Sequence, residues 1–218
     1  MSPAVPPPRQ GDLFVGDSSA VAPSLGAAGT PQSAPPLLRH QLLAWQERLA
    51  RHQQPLFDAA AAAGHEAAGL GNGVSQGHLF DLPAAASPAR SLDPLALAPQ
   101  SLSVWRWPGG QHNGPAIYLV LDRPAHAPSP LLLYVGETGR ADRRWKGTHD
   151  CKSYLAAYGE ALLAAELVPQ LSIRFWCDVP AAIRQRRALE QELIRHWLPP
   201  FNKETRQRWS TPFTAEID

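Results

Sequence analysis

Residues 116–121 read AIYLVL and residues 131–139 read LLLYVGETG, and these two stretches decide the fold. Each begins as a short apolar run that follows a proline, which is the pattern of a buried β-strand. We therefore predict two strands that form a hairpin with a long, Pro-rich loop. The glycines at 136 and 139 predict a turn directly after the second strand.

The sequence after this hairpin predicts one further strand and three helices. They are a short basic helix, a second helix, a strand and a last helix, at 140–147, 152–167, 172–177 and 181–198. Pro180 suits the first turn of the last helix, and Pro199 ends it, because proline does not fit a helix interior. The predicted fold class is α+β, with a small, three-stranded, mainly antiparallel sheet flanked by helices.

Composition changes near residue 103. The first 103 residues contain 13 of the 23 prolines, no tyrosine and a single tryptophan, Trp45. A segment with so few large apolar residues cannot offset the entropy that ordering costs. We predict that 1–103 is mostly disordered, with one amphipathic helix at 37–52. The folded domain is then 104–209, followed by a tail at 210–218.

Charge is also distributed unevenly. Residues 1–103 contain 5 Lys/Arg and 7 Asp/Glu, whereas residues 104–209 contain 15 and 10. The basic half permits a nucleic-acid partner, although a solvated surface explains the same excess. Cys151 and Cys177 have no metal-binding or disulfide spacing, and no apolar run is long enough to cross a membrane. With no secretory signal pattern, we expect a cytoplasmic protein without a membrane partner.

The last predicted helix contains a carboxylate in an unusual place. Its apolar stripe is formed by Ile183, Leu193, Ile194 and Trp197. At about 100° per residue, Glu190 falls in the middle of that stripe and Glu192 on the opposite side. A carboxylate there is costly unless it is paired or binds a cation. Glu190 is therefore a candidate metal ligand, and an ion pair with an arginine is the alternative.

A second candidate site lies at the end of the second strand. Gly136 permits another group to approach the backbone closely. A basic segment follows, and guanidinium groups can hold a phosphate through paired hydrogen bonds. The candidate nucleic-acid-binding residues in this segment, apart from Arg144, are Arg140, Arg143 and Lys146.

Together these motifs resemble the GIY-YIG nuclease superfamily over residues 114–204. The first motif is Ala116-Ile117-Tyr118, with alanine in place of the usual glycine, and the second is Tyr134-Val135-Gly136. The spacings of Arg144, Glu190 and Asn202 resemble the excision-repair branch of this family. Glu137 follows the second motif where some members have lysine or a neutral residue. His149 lies one position from the family's further His or Tyr, so it is a supporting candidate only.

This resemblance implies a metal-dependent endonuclease that hydrolyses phosphodiester bonds in DNA, in repair or replication, with RNA left open. One Mg²⁺ (or Mn²⁺) would be held mainly by Glu190 and waters. Tyr118 would position or deprotonate the attacking water, and Tyr134 would hydrogen-bond the phosphate or the attacking group. Arg144 would stabilise charge in the transition state, and Asn202 would brace the site.

A different motif, Gln-x-x-Leu-Phe, occurs three times before residue 104. It resembles the peptides that dock into the bacterial DNA sliding clamp, where a Leu-Phe pair enters an apolar pocket. Several copies would raise avidity for a ring with several pockets. A chance set of apolar contacts in a biased segment is the alternative. The candidate clamp residues are Gln10, Leu13, Phe14, Gln53, Leu56, Phe57, Gln76, Leu79 and Phe80.

Two other functions remain open at this point. One is a non-catalytic nucleic-acid-binding or clamp-binding adaptor that keeps the nuclease fold. An adaptor has no need for two tyrosines, an arginine and a glutamate together, which favours the enzyme. The other is a restriction or mobile-element nuclease, which the lack of an evident second DNA-binding domain disfavours.

Overall fold

A computed structural model of the protein describes residues 39–69, 87–102, 113–141 and 150–213. These residues belong to one compact unit, Pro36–Asp218. The helices are α1 to α5, at Arg39–Gly69, Pro88–Ser91, Asp150–Ala164, Ile183–Trp197 and Arg206–Trp209. The strands are β1 to β3, at Ala116–Asp122, Leu131–Thr138 and Ser172–Trp176.

The three strands form one antiparallel sheet in the order β2-β1-β3, which confirms the predicted α+β class. Strand β1 lies in the middle, and all seven of its residues are buried. Tyr118 is paired with Gly136 on one side and with Phe175 on the other. The β1–β2 register shifts after Val120, so Leu133 is an extra residue on β2, as in a β-bulge.

Each face of the sheet is covered by helices. One face carries Tyr118 and packs against the first half of α1 and against α3, through Trp45 and Tyr158 among others. The other face carries Ile117 and packs against α4, through Trp197 among others. Because both faces are covered, β1 has a continuous apolar sequence rather than an alternating one.

Helix α1 corrects the predicted domain boundary. It extends to Gly69, well beyond the predicted end at residue 52, and it packs into the core. Trp45 is buried, stacks on Phe201 at 6.4 Å, and donates its indole N–H to the carbonyl oxygen of Trp209 at 3.2 Å. Residues 39–69 and 87–102 therefore belong to the folded domain, and the predicted boundary at 103 is wrong for them.

Strand β2 is an edge strand whose outer side is covered by hydrogen-bonding groups. The side-chain amide of Gln53 bonds to both the N–H and the carbonyl of Leu132, at 2.8 and 3.0 Å. The N–H of Phe201 donates to the carbonyl of Leu133 at 3.0 Å. These groups replace a fourth strand, and they place α1 and the segment after α4 in fixed positions beside β2.

The predicted and observed elements agree closely in the second half of the chain. Of the predicted basic helix at 140–147, only Arg140 and Ala141 lie within the described residues. Helix α4 begins at Ile183, after Pro180 rather than at it, and ends at Trp197 with Leu198 in the left-handed conformation. In the described ranges, no helix has the length and apolar character needed to cross a membrane.

Candidate functional site

Two tyrosines and a glycine lie together at one end of the sheet. The rings of Tyr118 and Tyr134 stack with centroids 5.9 Å apart, and a hydrogen bond joins their side chains. A Cβ atom on Gly136 would lie 2.4 Å from the Cζ and Oη atoms of Tyr118. Only glycine therefore allows the Tyr118 ring to lie against β2 at this position. The predicted turn at 136–139 is wrong for residues 136–138, because β2 continues to Thr138.

Burial gives Tyr134 a defined protonation state. Desolvation is the main cause that raises its pKa, and the neighbouring Tyr118, Cys151 and Glu190 raise it further. At neutral pH its hydroxyl therefore keeps its proton and can donate a hydrogen bond. The charge of Glu190 makes the smallest of these contributions.

Glu190 reaches the same end of the sheet from α4. Its Oε1 atom accepts the backbone N–H of Glu137 at 2.9 Å. Burial raises the pKa of Glu190 to about 7, against the hydrogen bond from Glu137, while the charges of Glu137 and Glu204 raise it further. A half-buried acid among other acids is a group that a bound cation would stabilise in its ionised form.

The position of Glu190 on α4 agrees with the helical pattern only in part. Leu193, Ile194 and Trp197 are buried as expected. Glu192 lies on a different side, where it accepts a hydrogen bond from Ser87 at 2.5 Å. Ile183 is wrong as a member of the buried stripe, because 49% of its surface is exposed at the first turn of the helix.

Glu137 is joined to α4 by its carboxylate as well as by its backbone. Arg186 donates Nε–H to Oε2 at 2.9 Å, and Arg187 donates Nε–H to Oε1 at 3.3 Å. The Arg186 side chain is 3% exposed, against 64% for Arg187. Glu137 is thus a partner for arginines on α4, and its negative charge is balanced within the fold.

Asn202 fixes the strand that carries Tyr134. Its side-chain Oδ1 accepts the N–H of Val135 at 3.0 Å, and its Nδ2 donates to the carbonyl of Val135 at 2.8 Å. The side chain is buried. Asn202 therefore braces β2 between Tyr134 and Gly136 through two hydrogen bonds to one residue.

Several predicted site residues lie outside the described ranges. These are Arg143, Arg144, Lys146 and His149, in the segment 142–149. Both neighbours of that segment are described. Ala141 donates its N–H to the carbonyl of Gly114, just before β1, at 2.9 Å. Cys151, in the first turn of α3, lies near enough to Tyr134 to influence its pKa.

The Gln-x-x-Leu-Phe motifs have different outcomes. The copies at 10–14 and 76–80 lie outside the described residues. In the middle copy Gln53 is fully buried on the edge of β2, and Phe57 packs against Trp197 with ring centroids 4.6 Å apart. Leu56 packs beside them against the same core cluster. This copy is part of the core, so its prediction as a clamp-docking peptide is wrong for the folded chain.

Two residues of this region were not predicted from the sequence, Gln53 as a strand partner and Arg186 as a buried cation. Arg186 precedes Glu190 by four residues, so the same helical spacing places both on one face of α4. The position of Arg186 on this face could therefore have been predicted from helical spacing alone. Gln53 is 79 residues from its partner Leu132, and no local pattern indicates such a pairing.

The arrangement provides two tyrosine hydroxyls, a glycine that allows them to meet, and the carboxylate of Glu190. Among the described residues, no group of three or more His, Cys, Asp and Glu side chains is placed to hold a metal ion. No family model, no curated protein and no solved structure matches this chain. The geometry of the site is therefore the basis for a function.

Proposed function

We propose that the chain is a metal-dependent endonuclease of the GIY-YIG type that hydrolyses phosphodiester bonds in DNA. One observation supports this most: Tyr118 and Tyr134 pack against Gly136, and Glu190, up to 72 residues away in sequence, accepts the N–H of the next residue, Glu137. A structural tyrosine pair has no need of a half-buried carboxylate beside it. The family resemblance points to all three residues, and helical spacing points separately to Glu190.

The residues that would hold a divalent cation fit Mg²⁺ or Mn²⁺. Magnesium commonly uses one or two protein carboxylates and keeps several waters, so a site without three protein ligands is compatible with it. Glu190 supplies the carboxylate, and because burial raises its pKa to about 7, a cation bound there would favour its ionised form. When bound, the cation would neutralise phosphate charge and the charge that develops on the leaving oxygen.

The protein residues then have distinct roles in hydrolysis. A water oxygen attacks phosphorus opposite the leaving oxygen, and the phosphorus–oxygen bond to that group breaks. Tyr134 keeps its proton and donates a hydrogen bond. Tyr118 is then the member of the pair that would orient the water and, as a phenolate, accept its proton, while a bound cation would balance the negative charge left on the departing oxygen. Gly136 and Asn202 hold the two tyrosines in place.

Arg144 completes this proposal as the residue that stabilises negative charge in the transition state. It lies in the segment between Ala141 and Asp150. Arg140, Arg143 and Lys146 are proposed to bind the DNA backbone, with His149 as a helper. Contacts of this kind position a nucleic acid without selecting its sequence.

Incubation of the purified protein with nucleic acids and Mg²⁺ or Mn²⁺ tests the proposed activity. The substrates are plasmid, single-stranded and branched DNA, and an RNA of matched sequence. Glu190→Ala should abolish cleavage, and Glu192→Ala is the matched control, because it removes a carboxylate from another side of the same helix. Cleavage that survives Glu190→Ala unchanged would contradict the assignment. DNA binding without cleavage by the wild type would favour the adaptor.

We also propose that the Gln-x-x-Leu-Phe copies at 10–14 and 76–80 tether the enzyme to the DNA sliding clamp. The test is capture of the full chain by purified clamp, with Phe14→Ala and Phe80→Ala combined. Binding should fall at least several-fold, because two of the docking aromatic residues are lost. Phe57 stays unchanged, since its side chain supports the core. Equal capture of the variant and the wild type would end this part of the proposal.

A further inference from the structure

Glu137 contacts two successive turns of α4 with two different groups. Its backbone N–H binds Glu190, and its carboxylate binds Arg186, which precedes Glu190 by one helical turn. Because both bonds come from a single residue of β2, they fix the register of α4 against the strand. They also fix the rotation of the helix, since the two partners lie on one face of it.

Arg186 carries the connection further, to the start of the helix. Its Nη1 donates to the carbonyl oxygens of Pro180 and Ala181, at 3.0 and 2.9 Å. Helix α4 has no side-chain cap at Ala182 and no acidic residue in its first turn, so its start has little other support of this kind. One buried guanidinium thus joins the end of β2 to the beginning of the helix that carries Glu190.

The burial of this ion pair indicates a role in placement. Desolvation largely cancels the attraction in a buried ion pair, so such a pair is weak evidence for stability by itself. Arg187 reaches the same carboxylate from an exposed position, at a longer distance, and lacks the bonds to Pro180 and Ala181. Of these two arginines, only Arg186 bonds both to β2 and to the residues before the start of α4.

We propose that Glu137 and Arg186 are positioning residues that set the place of the Glu190 carboxylate relative to Tyr118 and Tyr134, and so set the affinity for the divalent cation. This inference rests on the proposed nuclease function. Neither residue touches the reacting atoms. Their effect passes through the helix and through the one backbone hydrogen bond to Glu190.

Glu137→Ala is the informative change, because it removes the carboxylate but keeps the backbone N–H that binds Glu190. Mn²⁺ affinity of the full chain is measured by calorimetry, together with kcat and KM for plasmid cleavage. We expect Mn²⁺ binding to weaken about 10–100-fold, as for other residues that orient a metal ligand. Arg186→Lys should behave similarly, since an ammonium cannot bridge Glu137 and two carbonyls in the same geometry.

Arg90→Gln is the matched control, because it removes an exposed ion pair with Glu192 elsewhere on α4. It should leave Mn²⁺ affinity within about twofold of the wild type. Glu137→Gln is a second variant, of nearly the same size, for use if Glu137→Ala is not folded by circular dichroism. Wild-type Mn²⁺ affinity in the folded Glu137 and Arg186 variants would overturn the inference and leave the nuclease proposal intact. A wild type that neither binds Mn²⁺ nor cleaves would overturn both.

Discussion

The two ends of the sheet each combine a tyrosine with a carboxylate, buried at one end and half-buried at the other, but they are built differently. At the end of β1, Asp122 accepts the Tyr158 hydroxyl at 2.7 Å and the N–H of Gln170 at 2.8 Å. Gln46 in turn donates to the Tyr158 oxygen at 2.5 Å. At the other end, Glu190 accepts a backbone N–H on one oxygen and has acidic neighbours.

Burial raises the pKa of both carboxylates, so burial alone does not distinguish them. The difference lies in the hydrogen-bond donors. Asp122 is 1% exposed, and each of its oxygens receives a donor from within the fold. In the described part of the chain, Glu190 has a donor on Oε1 only. Hydrogen bonds to both oxygens of Asp122 indicate a structural role for that carboxylate. The Oε2 atom of Glu190 is instead available to bind a ligand.

The largest expected difference is between the cleavage activities of the Glu190→Gln and Asp122→Asn variants. Glu190→Gln should abolish detectable cleavage with little loss of stability, because it removes the proposed metal ligand but not its shape. Asp122→Asn should keep cleavage and lower the free energy of unfolding by about 1–3 kcal/mol, since it disturbs buried hydrogen bonds. Cleavage assays and urea unfolding of both variants measure this. Similar losses of activity in the two would remove the distinction between the ends.

Removal of a tyrosine hydroxyl provides a second contrast. Tyr118→Phe keeps the ring against Gly136 and should slow cleavage about 10²–10⁴-fold, the range for loss of proton transfer. Tyr158→Phe should leave the rate unchanged but cost about 1–3 kcal/mol, because Asp122 and Gln46 lose their common partner. A normal rate for Tyr118→Phe would show that its hydroxyl is structural, like that of Tyr158.

Two glycine-to-alanine changes compare the packing of the ends. Gly136→Ala places a Cβ against the Tyr118 and Tyr134 rings, so we expect a loss of about 1–3 kcal/mol together with reduced activity. Gly159, next to Tyr158 on α3, has no other atom within 4 Å of an added Cβ. Gly159→Ala should therefore stabilise the helix, by up to about 1 kcal/mol. Thermal unfolding tests both, and tolerance of Gly136→Ala would contradict the close approach of Tyr118.

The smallest expected effect is the pH dependence of stability. The pKa of Glu190 rises from 4.5 to about 7 on folding, so the folded state binds more protons between these values. The protonated Glu190 carboxyl therefore contributes fully to the free energy of unfolding below pH 4.5. This contribution is lost as the pH rises through 7.

Mg²⁺ should oppose this loss, because it binds the ionised carboxylate and competes with the proton. Melting temperatures of the wild type should thus rise more with Mg²⁺ at pH 8 than at pH 6. Asp122→Asn should keep this response and Glu190→Gln should lose it. A response that persists in Glu190→Gln would place the cation elsewhere.

Local patterns predicted the end of the sheet that carries Glu190 better than the end that carries Asp122. The β1–β2 hairpin, β3 and α4 follow from short apolar runs, prolines and helical spacing, and the close approach at Gly136 follows from its lack of a side chain. The network of Asp122, Tyr158 and Gln46 joins residues from three separate elements, so no spacing indicates it. Motif spacing points to residues that act together, but a buried network has no fixed spacing.

The same reason explains the error in the domain boundary. Residues 1–103 are poor in large apolar residues. Composition, however, takes no account of the apolar residues from the rest of the chain that pack against this segment. Trp45 contributes one large ring to a cluster that Phe201 and Tyr158 complete. Helix α1 is therefore stable in this fold because of residues more than a hundred positions away.

The covered edge of β2 has a consequence for how the protein can be shortened. Strand β2 contains the run LLLYV, and an apolar edge strand with open backbone groups recruits other strands and aggregates. Gln53 and Asn202 cover that edge, and Gln53 belongs to α1. A gene that begins at residue 104 would encode every proposed nuclease residue, including Asn202, and still omit Gln53, which covers the edge at Leu132. Its product should collect in inclusion bodies, while one that begins at residue 36 should remain in solution.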